Sequence, residues 1–499
     1  MKHALILLVI YFLSTAFSFA LQEHIVEIEP SLPLPNDSWK EIGIIKNFKS
    51  SEIAGSRLSI GFECLDRDMF KPEMVYDRLA ETGIKWARCQ TGWSKCETQK
   101  GVYDFKWLDD VVDNLRKRGI QPWFNVGFGN PIYMGKMKNK TGVGYVPIYF
   151  GEECQQAWVN YIDALSKHFK GRVQHWEIWN ESNIKEFWQP KKPDVQEYIK
   201  LIDITGSIIR KNIPDAKIGA VITGSYSWYT KDFFRKGGQK LIDFYAVHPY
   251  CVVPEDRFDN DTAAIFDAIA KSKPPRKIEL WQGEAGFASY YPKGHGMKTT
   301  TSGGEYMQAK WMLRRFTIDL AAGYGLTSLY QCVDLKKGYE MAGGKMDKFG
   351  RYGLFKNETY TAKKAVKILS NYTPIFDNQT TPHKIHSVRI DFEKAEPFKL
   401  GESMLPLCAD RVETFMRKGY PLFAYWITED VQKQMKPIEN VSMYIVNDTK
   451  MRTPVLLDII SGKVYKLTGN PFIIRGLPIT DYPLIITDYN AVKDIIIEN

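Results

Sequence analysis

Short apolar runs alternate with amphipathic stretches along most of the chain between residues 57 and 377. The runs have the length of buried strands, and the stretches between them repeat apolar residues at helical spacing. Strands are predicted at "RLSIGFECL", "IKWARCQ", "IQPWFNVG", "VQHWEIWNE", "KIGAVIT", "LIDFYAVHPY", "KIELWQGEAG" and "LTSLYQCVD". Helices are predicted at residues 72–83, 104–119, 154–171, 195–213, 231–236, 263–270, 305–322 and 361–369.

This alternation predicts an α/β fold with a parallel sheet, because a helix must connect each pair of parallel strands. Eight strand–helix units predict a closed (β/α)8 TIM barrel. An open, doubly wound sheet is the alternative, but it usually carries a glycine-rich phosphate loop after its first strand. No such loop follows "RLSIGFECL".

After residue 378 the pattern changes to short alternating runs, such as "PLFAYWIT", "VSMYIVND" and "YPLIITD". Ser461-Gly462 separates two further runs and predicts a hairpin turn. These features predict an all-β sandwich domain over residues 378–499, behind a catalytic barrel over residues 57–377. Residues 21–56 form an N-terminal segment whose "EHIVEIEP" stretch could add a strand to the β domain.

The first twenty residues are typical of a cleavable secretion signal. Lys2 precedes an unbroken apolar run, and small residues at Ser18 and Ala20 fit cleavage after Ala20. The apolar run is short for a bilayer span, which argues against an uncleaved anchor. We therefore expect a secreted or periplasmic protein with no membrane attachment after cleavage.

Composition excludes several classes of function. The net charge is +9, but Lys and Arg are spread along the chain without a basic run, which argues against nucleic-acid binding. The seven cysteines form no CxxC pair, and no His/Asp/Glu cluster has metal-ligand spacing, so neither a metal nor a cofactor is predicted. No Gly-x-Ser-x-Gly elbow supports a serine hydrolase.

Polar residues gather where the predicted barrel strands end, and the carboxyl ends of barrel strands form the active-site face. These residues are Arg88, Asn180, Glu181, His248, Tyr250, Glu284, Tyr330 and Gln331. Two carboxylates from opposite strands suit glycoside hydrolysis, in which one protonates the leaving oxygen and the other attacks the sugar or activates water. The sequence leaves open whether the two are close, as retention requires, or further apart, as inversion requires.

Asn180-Glu181 ending strand four, with a Glu ending strand seven, resembles the clan A glycoside hydrolases. The resemblance implies that Glu181 is the acid/base and Glu284 the nucleophile. It also implies that Asn180 binds a sugar 2-hydroxyl and that Arg88 and Tyr250 support the nucleophile. His248 matches a strand-six position of the clan. The barrel followed by a β domain is most similar to family 39, which includes β-xylosidases and α-L-iduronidases.

Aromatic rings near the strand ends are candidates for stacking on sugar rings. Six are considered, of which two or three are expected to line the site: Trp93, Trp123, Trp188, Trp228, Trp281 and Tyr290. Tyr330 is a further candidate. Glu177, Glu279 and His175 lie earlier in their strands and are interpreted as structural.

The sequence thus predicts a secreted, retaining glycoside hydrolase acting on an oligo- or polysaccharide. A carbohydrate-binding barrel without turnover, a transglycosylase using the same residues, and a barrel enzyme of unrelated chemistry remain alternatives. The sugar, the anomer, the point of cleavage and the oligomeric state are not determined by the sequence.

Overall fold

The computed structural model describes most of the chain from Trp39 onward. The described residues are 32, 39–135, 137, 141–290, 304–336, 340–341, 344–345, 350–384, 388–392, 399–400, 403–404, 410–431, 438–445 and 451–499. The predicted signal peptide and the "EHIVEIEP" stretch lie outside these residues.

A closed barrel of eight parallel strands forms the centre of the molecule and confirms the predicted fold class. In chain order, its first to eighth strands are Leu58–Gly61, Trp86–Gln90, Gln121–Val126, His175–Ile178, Lys217–Thr223, Phe244–His248, Glu279–Ala285 and Leu326–Leu329. The first strand pairs with both the second and the eighth, which closes the barrel. All eight carboxyl ends therefore meet at one face.

Helices follow the strands and cover the barrel. Those of the barrel region are Tyr76–Ala80, Trp93–Cys96, Lys106–Lys117, Pro131–Met134, Gly151–His168, Val195–Asn212, Trp228–Arg235, Phe258–Lys271, Glu305–Ala321 and Lys364–Tyr372. The helix Val195–Asn212 shows why they form where predicted: the Asp194 side chain accepts from two amides of its first turn, and Arg210 and Lys211 occupy its last. Within the described residues, no helix combines the length and apolar character that a bilayer span needs.

Several predicted elements differ in extent, and two of them change the local structure. The helix expected at residues 72–83 is divided into a 3₁₀ turn, Pro72–Met74, and a short α-helix, Tyr76–Ala80. The eighth strand ends at Leu329, although the apolar pattern continues to residue 334. Apolar residues beyond Leu329 are buried in loop conformation, so their burial alone does not mark a strand.

Aromatic side chains fill the barrel interior toward the amino ends of the strands. Phe244 and Trp281 stack with ring centroids 4.0 Å apart, and Trp123 packs edge-on against Trp281 at 5.4 Å. His175 lies against Trp86 and Trp281. This largely aromatic cluster forms an apolar plug at the amino end of the barrel.

The C-terminal region folds into antiparallel sheets, as predicted. Its larger strands are Asp410–Arg417, Tyr420–Ile427, Ile438–Ile445, Pro454–Asp458, Lys463–Lys466, Ile473–Ile479 and Leu484–Asp488. The predicted turn at Ser461-Gly462 connects two of them, with Gly462 at a φ of 77°, where glycine avoids a side-chain clash. The strand Lys40–Ile45 joins the larger sheet, beside Lys463–Lys466 and Ile496–Glu498.

Buried ion pairs join the β domain to the barrel. Arg314, on the helix Glu305–Ala321, donates to Glu255 in the loop after the sixth strand and to the backbone oxygen of Glu429 in the β domain. Trp426 of the β domain donates to the same Glu255 carboxylate at 2.7 Å. Lys310 pairs with Asp481 at 2.8 Å, and both side chains are at most 6% exposed. The β domain is thus fixed to a loop that leaves the active-site face.

We predict that Arg314→Ala destabilises the protein by about 3–5 kcal/mol, because the buried Glu255 carboxylate loses its cationic partner. Lys463→Ala is the matched control: it breaks an exposed pair with Glu41, which is worth at most about 1 kcal/mol. Urea denaturation of both variants measures the two free energies. Equal losses would contradict an energetic role for the buried pair.

Candidate active site

A fully buried guanidinium, that of Arg88 in the middle of the second strand, organises the polar end of the barrel. Its Nη1 donates to Glu284 at 2.7 Å and to Glu63 at 2.9 Å. Its Nε and Nη2 donate to one oxygen of Glu177, and Nη2 also donates to Asn180 at 2.8 Å. Because Arg keeps its charge even when buried, carboxylates can remain ionised around it.

Glu284 ends the seventh strand and has a donor on each carboxylate oxygen. Arg88 reaches Oε2, and the Tyr250 hydroxyl donates to Oε1 at 2.7 Å. Both donors stabilise the ionised carboxylate, and they fix its orientation. The side chain is 13% exposed, so it faces accessible space although its partners are buried. This is the environment that an attacking carboxylate needs.

Glu181 follows the fourth strand in a different environment. Burial raises the pKa of its carboxyl group to about 7, and a hydrogen bond from Thr223 only partly opposes this effect. His248 Nδ1 lies 3.1 Å from Glu181 Oε1. Trp179 and Glu181 have φ angles of 70° and 40°, in the left-handed region that residues with side chains seldom adopt. Such strain is typical of functional sites. Here it occurs in the turn after the fourth strand, which carries Asn180 and Glu181.

The two carboxylates are close. Glu181, His248 and Glu284 each present a ligand atom, and these atoms lie within 4.8 Å of one another. Burial lowers the pKa of His248 to about 4, so the imidazole stays neutral at physiological pH. Its Nε2 has no hydrogen-bond partner among the described residues. Glu181 therefore binds a proton at a higher pH than the neighbouring His248 does.

The same three side chains have donor types that could bind a metal ion. The hydrogen bonds that Glu284 already makes disfavour a metal ion at this position. Both oxygens of Glu284 already accept hydrogen bonds, and the Arg88 cation lies 2.7 Å from one of them. A second cation would meet that charge at close range.

The structure brings most of the predicted site residues together. Arg88, Asn180, Glu181, His248, Tyr250 and Glu284 make the contacts above, and the Tyr330 ring packs edge-on against Tyr250 at 6.3 Å. Glu177 is a fully buried partner of Arg88, which agrees with a structural role.

The structure buries three of the tryptophans that we expected to bind substrate, and this contradicts that role for them. Trp93 is fully buried and donates to Glu97, Trp188 is fully buried and donates to Tyr149, and Trp281 belongs to the apolar plug. Trp93 begins a short helix, Trp188 follows a 3₁₀ turn, and Trp281 lies near the amino end of its strand, so none of the three lies at a carboxyl strand end. Trp123 is buried in the same plug. Of the six aromatic candidates, Trp228 and Tyr290 are exposed, at 67% and 42%.

Sequence reasoning missed Glu63, which ends the first strand's apolar run, and Gln90 and Asn125, which end the second and third strands. Glu63 accepts from Arg88, Gln90 donates to Glu63 at 3.3 Å, and Asn125 donates to Glu177 at 2.8 Å. The rule that located Glu181 also applies to "SIGFE", so the signal for Glu63 was present in the sequence.

The chain matches the model of the family described as "Glycosyl hydrolases family 39" over residues 74–273. A "Beta-xylosidase" of Geobacillus stearothermophilus is 28% identical over 168 residues, covering 30% of this chain and 31% of that protein. An "Aryl-phospho-beta-D-glucosidase" of Bacillus subtilis (strain 168) is 28% identical over 115 residues, covering 21% and 22%. The chain thus aligns with less than a third of the length of these relatives.

Solved structures extend the similarity of fold. A family 39 glycoside hydrolase from Bacteroides cellulosilyticus WH2 superposes with a TM-score of 0.61 at 16% identity, covering 87% of this chain and 80% of that one. A family 30 subfamily 8 xylanase from Clostridium acetobutylicum gives 0.51 at 12% identity, covering 89% and 97%. The family model and the sequence relatives confirm the resemblance to family 39, and the solved structures agree with the barrel fold.

Proposed function

We propose that this protein hydrolyses glycosidic bonds with retention of configuration, with Glu284 as nucleophile and Glu181 as acid/base. The observation that carries the proposal is the spacing of the two carboxylates, whose oxygens come within 4.8 Å. Retaining enzymes hold their carboxyl groups about 5–5.5 Å apart, whereas inverting enzymes need about 6.5–9.5 Å for an intervening water.

The first step forms a glycosyl–enzyme. A Glu284 oxygen attacks the anomeric carbon as the bond to the leaving oxygen breaks, and the proton on Glu181 moves to that oxygen. The environments suit these roles: Arg88 and Tyr250 hold Glu284 as a carboxylate, while burial keeps a proton on Glu181. The amide oxygen of Asn180 accepts a hydrogen bond from Arg88. The NH2 group of Asn180 is therefore left to donate to a sugar hydroxyl.

The second step releases the sugar. Glu181, now ionised, takes a proton from a water molecule, whose oxygen attacks the anomeric carbon and frees Glu284. Two displacements restore the original anomeric configuration. If the hydroxyl group of a second sugar attacked in place of water, the same site would act as a transglycosylase.

A β-linked oligo- or polysaccharide is the proposed substrate, supported by the similarity to a β-xylosidase and an aryl-phospho-β-D-glucosidase. Export from the cell is part of the proposal and rests on the signal-like first twenty residues. Cleavage after Ala20 would leave Leu21 as the first residue of the mature protein, which N-terminal sequencing detects.

We predict that Glu284→Ala lowers kcat on an aryl β-glycoside by at least about a thousandfold, because the covalent intermediate cannot form. Azide should restore turnover and yield a glycosyl azide of inverted configuration, identifiable by NMR. A panel of aryl α- and β-glycosides and natural glycans supplies the substrates.

Glu279→Ala is the control for the nucleophile variant, because it removes an exposed carboxylate at the other end of the same strand. It should keep activity and show no response to azide. Wild type that binds a sugar but turns over no member of the panel would instead favour a binding protein.

We predict that kcat/KM for a substrate with a poor leaving group falls about tenfold per pH unit above pH 7. The pKa of Glu181 is raised to about 7, so its acid form is present below that pH and is lost as pH rises through it. In wild type, a dinitrophenyl glycoside, whose leaving group needs no proton, should not show this fall at pH 7. Glu181→Gln should lower kcat/KM strongly for the poor leaving group and little for the dinitrophenyl glycoside. A fall at pH 7 that is the same for both leaving groups would assign it to another residue.

We predict that Trp228 binds the leaving-group side of longer substrates. Tyr229 beside it contacts the backbone of Ser182, next to the acid/base, and the Trp228 ring is 67% exposed. Trp228→Ala should raise KM about fivefold to tenfold for oligosaccharides and leave aryl monoglycosides unaffected. Phe472→Ala, an exposed ring in the β domain, is the control. Equal effects on short and long substrates would refute this role.

A further inference from the structure

Two carboxylates accept from the same terminal nitrogen of Arg88 beside the proposed nucleophile. Nη1 of Arg88 lies 2.7 Å from Glu284 Oε2 and 2.9 Å from Glu63 Oε2. Glu63 is 1% exposed and lies just after the first strand, whereas Glu284 belongs to the seventh. Two ionised carboxylates that share one site repel each other, so one of them tends to hold a proton.

Hydrogen bonding indicates which carboxylate holds the proton. Glu284 has a donor on each oxygen, from Arg88 and from Tyr250. Glu63 accepts hydrogen bonds on Oε2 only, from Arg88 and from Gln90. Its buried Oε1 has no partner among the described residues. An ionised carboxylate carries negative charge on both oxygens. A buried oxygen without a hydrogen-bond donor therefore costs far more free energy in the ionised form than in the acid form.

We propose that Glu63 is a positioning residue that holds a proton while Glu284 is ionised, so that Arg88 Nη1 stabilises the nucleophile instead of being divided between two anions. This inference rests on the proposed function. It adds Glu63 to the site as a residue that acts through Arg88 and does not touch the substrate.

The surroundings of Glu63 are consistent with this state. The charged groups that face it are Arg88, Glu177 and Glu284, and its titratable neighbours are Cys64, Cys89 and Tyr330. Burial raises the pKa of Glu63 to about 8, with the charges of Glu284 and Glu177 acting in the same direction and Arg88 against them.

Neighbouring residues hold Glu63 in place. Arg67 and the backbone amide of Cys64 both donate to the oxygen of the Gln90 amide, which turns its NH2 group toward Glu63. Gly61 makes room on the other side, since a Cβ at that position would stand 2.8 Å from Glu63 Oε1. The sequence therefore provides a fitted position for a carboxyl group that the reaction itself does not use.

The first test needs no substrate. Infrared spectroscopy at pH 7 compares the absorption of protonated carboxyl groups in wild type, Glu63→Gln and Glu279→Gln. Glu63→Gln should lose the contribution of one protonated carboxyl group, and Glu279→Gln, which removes an exposed carboxylate, should lose none. An unchanged band in Glu63→Gln would overturn the proposal. Far-UV circular dichroism and thermal unfolding verify that each variant is folded.

The second test compares two partners of Arg88 on a dinitrophenyl glycoside, for which no proton from Glu181 is needed. At pH 6, Glu63→Gln should keep kcat/KM within about tenfold of wild type, because the amide resembles the neutral acid. Glu177 Oε2 also has no partner among the described residues, but its Oε1 accepts two hydrogen bonds from Arg88 and one from Asn125. Glu177→Gln should therefore lose about a hundredfold or more, because Arg88 loses the ion-pair partner that accepts from it twice. Wild type should also decline above about pH 8, where Glu63 ionises, and Glu63→Gln should not.

The two proposals fail separately. A hundredfold loss in Glu63→Gln at pH 6 would mean that Glu63 works as an anion, which overturns the inference and leaves hydrolysis intact. Loss of the infrared band in a protein that hydrolyses no glycoside would support the protonated state of Glu63 and refute the proposed function.

Discussion

The buried charge of Arg88 is the constraint on which the polar end of the barrel depends. A guanidinium cannot shed its proton, so it must be neutralised and its donors must be used. The first, fourth and seventh strands, with the residues that directly follow them, supply four acceptors: Glu63, Glu177, Asn180 and Glu284. The strands are held together by their backbone ladders, and Arg88 adds a charged contact between those that carry the chemistry.

This arrangement separates the properties of two similar side chains. Glu284 lies beside the cation and has two donors, whereas Glu181 is buried beside a neutral His248 and has a raised pKa, about 7. One carboxyl group therefore favours the anion and the other favours the acid, although both belong to the same residue type. The difference in protonation between the two carboxyl groups is set by the residues within a few ångströms of each.

The β domain contributes to the same end of the molecule. Trp426 and the backbone of Glu429 contact the Glu255–Arg314 pair, and Glu255 lies in the loop that begins at Tyr250. Trp311, on the helix of Arg314, donates to the backbone oxygen of Cys251. The domain thus braces the segment that carries the partner of Glu284, and these contacts are polar and buried.

The sequence by itself determined the barrel, the β domain and the strand-end residues, because periodicity and strand ends are local properties of the chain. It placed Glu181 and Glu284 at one face, since all parallel strands end there. The tertiary structure alone decided their separation, the burial that raises the pKa of Glu181, and the burial of Trp93, Trp188 and Trp281. It also decided that Glu63 shares a donor with Glu284, because the first and seventh strands are 221 residues apart along the chain, Glu63 to Glu284, and meet only when the barrel closes. Distance, desolvation and shared partners depend on residues far apart in sequence, so no local pattern encodes them.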